Sequence, residues 1–225
     1  PVRGINAFTL GLQRGLKEAG YDPNEARVRV SWLFTWLDAS KEREAATGLL
    51  EAGFTAIRQM PDTPTVSQTA CEYPDTVAFG YGSSVIHKSP CVLVTNTWEW
   101  GHYYRTRVIE AMRGTWQPQD WFEGLATNPS DDSIGFTDWQ VPEEIRHKAE
   151  AVIKEIRSGF NIFSGPIYGT GITNEGKEIE IYIPPNYSLT DMGRLTFQWF
   201  VKGVDSEPPK YNPKEGYEKY LVVSP

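Results

Sequence analysis

Cysteine is scarce in this sequence of 225 residues, occurring only as Cys71 and Cys91. Two cysteines cannot build a disulfide framework and form no CxxC metal pattern, and spacing alone leaves open whether one bridge joins them. The three histidines, His87, His102 and His147, are scattered without HExxH or paired spacing. They announce no zinc site and read as surface or structural residues. No stretch reaches the roughly 20 apolar residues that span a bilayer. Basic charge is also short: 22 Lys and Arg against 29 Asp and Glu leave a net charge of -7. A nucleic-acid partner is thereby excluded, because neutralising phosphates needs a surplus of Lys and Arg on one face. There is no GxSxG, no GxxxxGKS/T and no GxGxxG after a strand, so enzyme chemistry has little support. The adjacent acids Asp131 and Asp132 lie among Asn, Pro and Ser and read as a solvated turn. No catalytic residue, metal or cofactor is expected. The sequence has neither an internal repeat nor a low-complexity tract. It opens on Pro1 with no signal peptide. This reads as a start in mid-fold, with any targeting signal upstream or removed.

What the sequence does contain is a hydrophobic fraction of 40%, with eight Trp and eleven Tyr, enough for one large or two small domains. Short β-branched runs alternate with stretches of period 3.6, the pattern of an α/β protein with a mostly parallel sheet. The first helix, Asn6 to Ala19, carries Phe8, Leu12, Leu16 and Ala19 on one face and stops at Gly20. Val28 to Leu33 reads as a strand. Asp38 or Ser40 caps a helix burying Ala45, Ala46, Leu49 and Leu50, followed by the strand Thr55 to Gln59 and a helix from about Pro64 to Glu72. The strands Val77 to Gly80 and Val92 to Thr97 flank the loop Tyr81 to Pro90, and a helix runs from about His102 to Arg113. Trp116 to Asp138 reads as a β-containing crossover. The helix Glu143 to Ser158 has an acidic first turn and a stripe of Ile145, Ala149, Val152, Ile153 and Ile156 predicted to be buried. Asn174 to Lys177 reads as a turn before the strand Glu178 to Ile183, Leu189 to Val201 as a last helix, and the tail after Gly203 as an extended or partly disordered strap.

In open parallel sheets, ligands bind beyond the carboxyl ends of the strands. That rule selects Thr35, Trp36 and Asp38, then Asp62 and Thr63, then Tyr81 to Ser84, and finally Asn96, Trp98 and Trp100. Each has a plainer reading: Trp36 as a core wedge, Asp38 and Asp62 as helix caps, the alternating Trp98 and Trp100 as packing. Their convergence on one set of strand ends argues more than any single residue.

The segments Gly4 to Gly11, Trp36 to Glu42, Gln59 to Pro64, Ala78 to Ser83, Val92 to Trp100 with Tyr103 and Tyr104, and Phe163 to Pro166 resemble, in order, blocks of the basic membrane protein family. That family includes purine nucleoside receptors. The resemblance implies a type I periplasmic binding protein fold, with two three-layer αβα lobes joined by three hinge strands and ligand enclosed between them. On this reading most of the N-terminal lobe is absent. Residues 1–81 belong to the second lobe, 82–115 to a hinge crossing with a residual first-lobe segment, 116–203 to the return, and 204–225 to a tail. The implied function is a non-enzymatic, extracytoplasmic receptor that delivers a purine to an ABC permease. A ligand-sensing regulator and a nucleoside hydrolase are the alternatives. Trp36 matches the aromatic position that stacks on the purine. Ser84 stands where the nucleoside receptors carry an Asp that holds the ribose, and Trp98 where they carry a Lys. Both departures favour a free base such as adenine, with Trp36 and Trp98 as a sandwich and Asp62 or Asn96 reading ring nitrogens. Tyr81 and Trp100 complete the expected ligand-binding set.

Overall fold

The computed structural model describes residues 1–85, 89–118, 124–211 and 216–224. It divides into two compact units, Pro1–Val30 with Asn161–Pro225, and Ser31–Phe160. These boundaries differ from those expected: residues 1–30 pack with the C-terminal third rather than with residues 31–81. In the first unit, helix α1 spans Val2–Glu18. Its buried residues are Val2, Asn6 and Thr9, whereas Leu12 and Leu16 of the expected stripe are half-buried and Ala19 is exposed. Hydrogen bonding decides the face: the Asn6 amide donates to Trp199 O at 2.9 Å and accepts from the Val201 N–H at 3.1 Å. It thereby completes the ladder of an edge strand. Gly20 follows the helix at φ +85°, the left-handed conformation that suits a residue without Cβ.

In the second unit, helix α2, Ala39–Glu51, is capped by Asp38, whose side chain accepts from the Lys41 N–H. Strand β1 (Ala56–Arg58), helix α3 (Thr65–Ala70), strand β2 (Val77–Gly82) and strand β3 (Val92–Trp98) follow. Helix α4 spans Gly101–Met112, strand β4 Ile134–Thr137 and helix α5 Glu143–Arg157. The sheet has the order β1-β2-β3-β4, parallel across its first three strands and antiparallel at β4, so the unit is α/β with a mostly parallel sheet. Ile57, Ala78 and Val92 form one core with Ala46 and Leu50 of α2 and Val66 and Ala70 of α3. At Gly80 the Thr95 hydroxyl lies 2.1 Å from where a Cβ would stand, so only glycine lets β2 and β3 approach there. A disulfide joins Cys71, just after α3, to Cys91, just before β3, settling the pairing that spacing left open.

Helices α4 and α5 bury no side chain. Ile145 is 47% exposed and Ile156 is exposed too, while Ala149, Val152 and Ile153 are half-buried, so the expected stripe of α5 is only partly covered among the described residues. No helix among the described residues is long and apolar enough to cross a membrane.

The rest of the first unit is mainly antiparallel. Strand β5 (Ile167–Thr173) pairs with β6 (Glu178–Ile183), then β7 (Tyr187–Leu189), helix α6 (Asp191–Leu195) and β8 (Trp199–Val201) follow. The helix predicted over 189–201 is therefore replaced by strand, short helix and strand. Thr190 caps α6 by accepting from the Gly193 N–H, and the β-favouring run Trp199, Phe200, Val201 pairs with β5 and is buried. Strand β9 (Lys210–Tyr211) adds parallel to β5, and β10 (Leu221–Val223) pairs with β7. The tail is thus tied into both sheets. The predicted strand Val28 to Leu33 reduces to one bridge, Val28 to Val204, because the chain leaves the unit at Val30.

Candidate ligand-binding site

The three parallel strands of the second unit end on the same edge, and the run into α2 reaches that edge too. The Asp62 N–H, just beyond β1, donates to Trp36 O at 2.8 Å. One backbone bond therefore brings together the residues selected after the first two predicted strands. Trp36 is 54% exposed, no core wedge, and no other described ring stacks on it. Phe34 beside it is 94% exposed at φ +53°, and Trp32 stacks on Phe34 with ring centroids 6.5 Å apart. Asp62 is exposed and does not cap α3, which starts at Thr65 behind Pro64 without a side-chain cap bond. Asp38 does cap α2, and the Lys41 N–H holds its carboxyl below the ordinary range. Thr35 bonds within its own turn, to Leu37.

A second cluster forms at the ends of β2 and β3. Tyr81 lies opposite Asn96 in register and meets Trp98 edge to face at 5.6 Å and 88°, the geometry ring quadrupoles favour. Trp98 stacks on Trp100 at 6.0 Å, and Trp100 leans on Tyr104 at 6.2 Å. Trp98 is still 40% exposed. It is in ring contact with Tyr81 and Trp100 rather than Trp36, so a ready-made Trp36–Trp98 stack is not present. Strand alternation puts Arg58, Tyr81, Asn96 and Trp98 on the sheet face opposite Ile57 and Ala78. Burial draws the Arg58 guanidinium below its usual value, with Tyr81 beside it acting the other way.

Ser84 is engaged rather than open. Its hydroxyl donates to Asp138 at 2.6 Å, and the same carboxylate accepts from the Val85 N–H at 3.0 Å and the Thr95 hydroxyl at 2.8 Å. Asp138, in the left-handed region at φ +58°, thus fastens the β2–β3 loop to β3. Gln140 fastens the loop's other end through Pro90 O and Val92 O. Sequence reasoning missed Asp138, Gln140, Arg58 and Glu42. The only available signal was an Asp followed closely by Trp139 and Gln140 after a strand, which is weak.

The acids Asp131 and Asp132 part ways. Asp132, predicted to be solvated, is half-buried in an ion pair with Arg157 and accepts from the Ala126 N–H. Asp131 Oδ1 lies 3.5 Å from His102 Nδ1. His147 Nε2 lies 3.7 Å from Glu143 on exposed helix, and His87 is outside the described residues. Among the described residues no group of three or more His, Cys, Asp or Glu side chains is set to hold a metal.

What gathers at this edge are flat rings beside hydroxyl, amide and carboxylate groups, the equipment of a binding site in an α/β protein. No family model matches the chain. It is homologous to a purine-binding protein of Brucella abortus (strain 2308), with 32% identity over 215 residues, which are 93% of this chain and 55% of that protein. The chain thus spans about half the length of this relative. Among solved structures it is similar to an ABC transporter solute-binding protein from Conexibacter woesei DSM 14684, with a TM-score of 0.47 and 23% identity across 68% of this chain and 51% of that one.

Proposed function

We propose that this chain is part of an extracytoplasmic substrate-binding protein of the basic membrane protein family, which holds a purine between two lobes and delivers it to an ABC permease for import. The observation that carries this reading is the half-exposed, unstacked Trp36 ring, fixed beside Asp62 at the carboxyl edge of a parallel sheet. A purine laid on that indole gains stacking at little entropic cost. Trp98, braced by Tyr81 and Trp100, offers a second ring to the ligand from the same unit, and Asp62 or Asn96 reads ring nitrogens. Position 84 is Ser and position 98 is Trp where the nucleoside receptors that the sequence resembles carry Asp and Lys, so the proposed ligand is a free base such as adenine.

The description of the Brucella abortus relative supports the ligand class, and the Cys71–Cys91 disulfide suits an oxidising compartment. Closure around the ligand favours the state the permease reads.

Calorimetry on the complete protein tests the proposal. Adenine should bind, and Trp36→Ala should weaken it by about tenfold or more, the scale of one lost base–aromatic stack. Adenosine binding tighter than adenine by about tenfold, or 1.4 kcal/mol, would overturn the free-base assignment. If no purine binds, the ligand class itself falls. Chromatography of incubated adenosine should return it unchanged, since release of free base would mean a hydrolase.

A further inference from the structure

Glu42 is wholly buried, on the first turn of α2. An acid in a water-free position costs free energy unless its oxygens are matched by donors, and an apolar residue would continue this helix without that cost. The donors here come from the two loops that present the candidate site. Glu42 Oε1 accepts from the Asp38 N–H at 3.2 Å, two residues after Trp36. Its Oε2 accepts from the Thr63 hydroxyl, one residue after Asp62. Thr63 in turn accepts from the Thr65 N–H at 3.2 Å and lies 2.8 Å from the Thr65 hydroxyl, which extends the linkage into the start of α3. On the other side, the Glu42 N–H donates to Asp38 O at 2.9 Å. The same two loops also meet directly through Asp62 N–H and Trp36 O.

We infer that Glu42 is a positioning residue of the purine site: from inside the fold it locks the Trp36 loop and the Asp62 loop to each other and to the first turn of α2, without touching ligand. This rests on the proposed function for its ligand, but the locking of Trp36 does not. A carboxylate is suited to the role because its two oxygens can serve two loops at once. Glutamine keeps the length and one acceptor and can still satisfy both neighbours, because the Thr63 hydroxyl can accept from its amide. Alanine leaves the Asp38 N–H and the Thr63 hydroxyl without the carboxylate.

The test labels the tryptophans of the complete protein with fluorine and follows the Trp36 resonance, assigned by its loss in Trp36→Phe, alongside adenine titration. Glu42→Ala should shift or broaden the Trp36 resonance in the free protein and weaken adenine by about tenfold or more, the usual consequence of a site left loose by its supporting residues. Glu42→Gln should restore both. Leu50→Ala, in the buried core at the far end of α2, is the control for lost stability and should leave the Trp36 resonance in place. An unchanged resonance in Glu42→Ala, or an equal change in Leu50→Ala, overturns the inference. Should Glu42→Ala fail to fold, Thr63→Val removes the donor from the other side and must reproduce the shift, or the inference is wrong. A moved Trp36 resonance in a protein whose parent does not bind adenine would support the locking role and refute the purine assignment instead.

Discussion

Replacing Asp138 removes one carboxylate from three donors, and the cost can be worked from their burial. Thr95 is wholly inaccessible and Val85 nearly so; each then has a polar hydrogen left without this acceptor inside the protein. A buried donor deprived of its partner costs about 1–3 kcal/mol. Ser84 is exposed, and water replaces the lost acceptor there at little cost. Asp138 also sits at φ +58°, where alanine is less favourable by about 1–2 kcal/mol and asparagine is tolerated. Asp138→Ala should therefore cost about 3–8 kcal/mol in all. Asp138→Asn should fall between this variant and the parent, because it keeps the backbone preference and one acceptor oxygen. Denaturant unfolding gives the total, and hydrogen exchange at the Val85 amide reports the loop directly. That amide should exchange much faster in both variants, with amides in β6 unaffected. If Asp138→Ala unfolds within about 1 kcal/mol of the parent, the carboxylate is not fastening the loop and the reasoning fails.

Three further outcomes follow from the same accounting. Cys71→Ser with Cys91→Ser should lower stability by about 3 kcal/mol, the loop-closure value for a bridge of sequence separation 20; guanidinium unfolding with and without reductant checks it, and reductant should have no effect on the double variant. Asn6→Ala should cost about 2–6 kcal/mol by orphaning Trp199 O and the Val201 N–H together, and a thermal shift no larger than that of Gln13→Ala, whose amide donates to Lys202 O in an exposed position, would contradict this. The Lys41 N–H depresses the Asp38 pKa first among its influences, so the cap's contribution is complete above the pKa of a free aspartate and disappears as pH falls through the lower folded value. Acid titration of stability should accordingly lose part of its low-pH limb in Asp38→Asn.

The legible parts of this fold were those written in side-chain period and capping. Asp38 before Ala45, Ala46, Leu49 and Leu50 announced α2, and the runs Val77 to Gly80 and Val92 to Thr97 announced β2 and β3 within two residues. Apolar period misled where burial depends on a partner elsewhere. Ile145 and Ile156 repeat on one side of α5 as a core stripe would, yet both are exposed, and on α1 the polar Asn6 and Thr9 occupy the buried side. Trp199 to Val201 continued a helical pattern by composition, but β-favouring residues paired with β5. Within the site, the sequence exposed the rings and the convergence of strand ends, because both follow from sheet topology. The residues fastening them stayed hidden, since a buried Glu on a helix or an Asp after a strand has no periodic signature.

That division has a physical origin. A ring that meets a ligand must be uncovered, so Trp36 and Trp98 are poorly held by packing and depend on their backbones being fixed from behind. Packing cannot do this at the end of a sheet, where the core thins out and loops carry unpaired backbone groups. Hydrogen bonds from polar side chains can. Glu42 joins the Asp38 and Thr63 loops, Asp138 joins Ser84 and Val85 to Thr95, and Gln140 holds Pro90 and Val92. Each holds a loop segment that the sheet ladder does not reach. Changing a ring should therefore alter affinity with little effect on stability, whereas changing one of these acids should alter both, and that contrast separates the residues that read the ligand from those that hold the reader still.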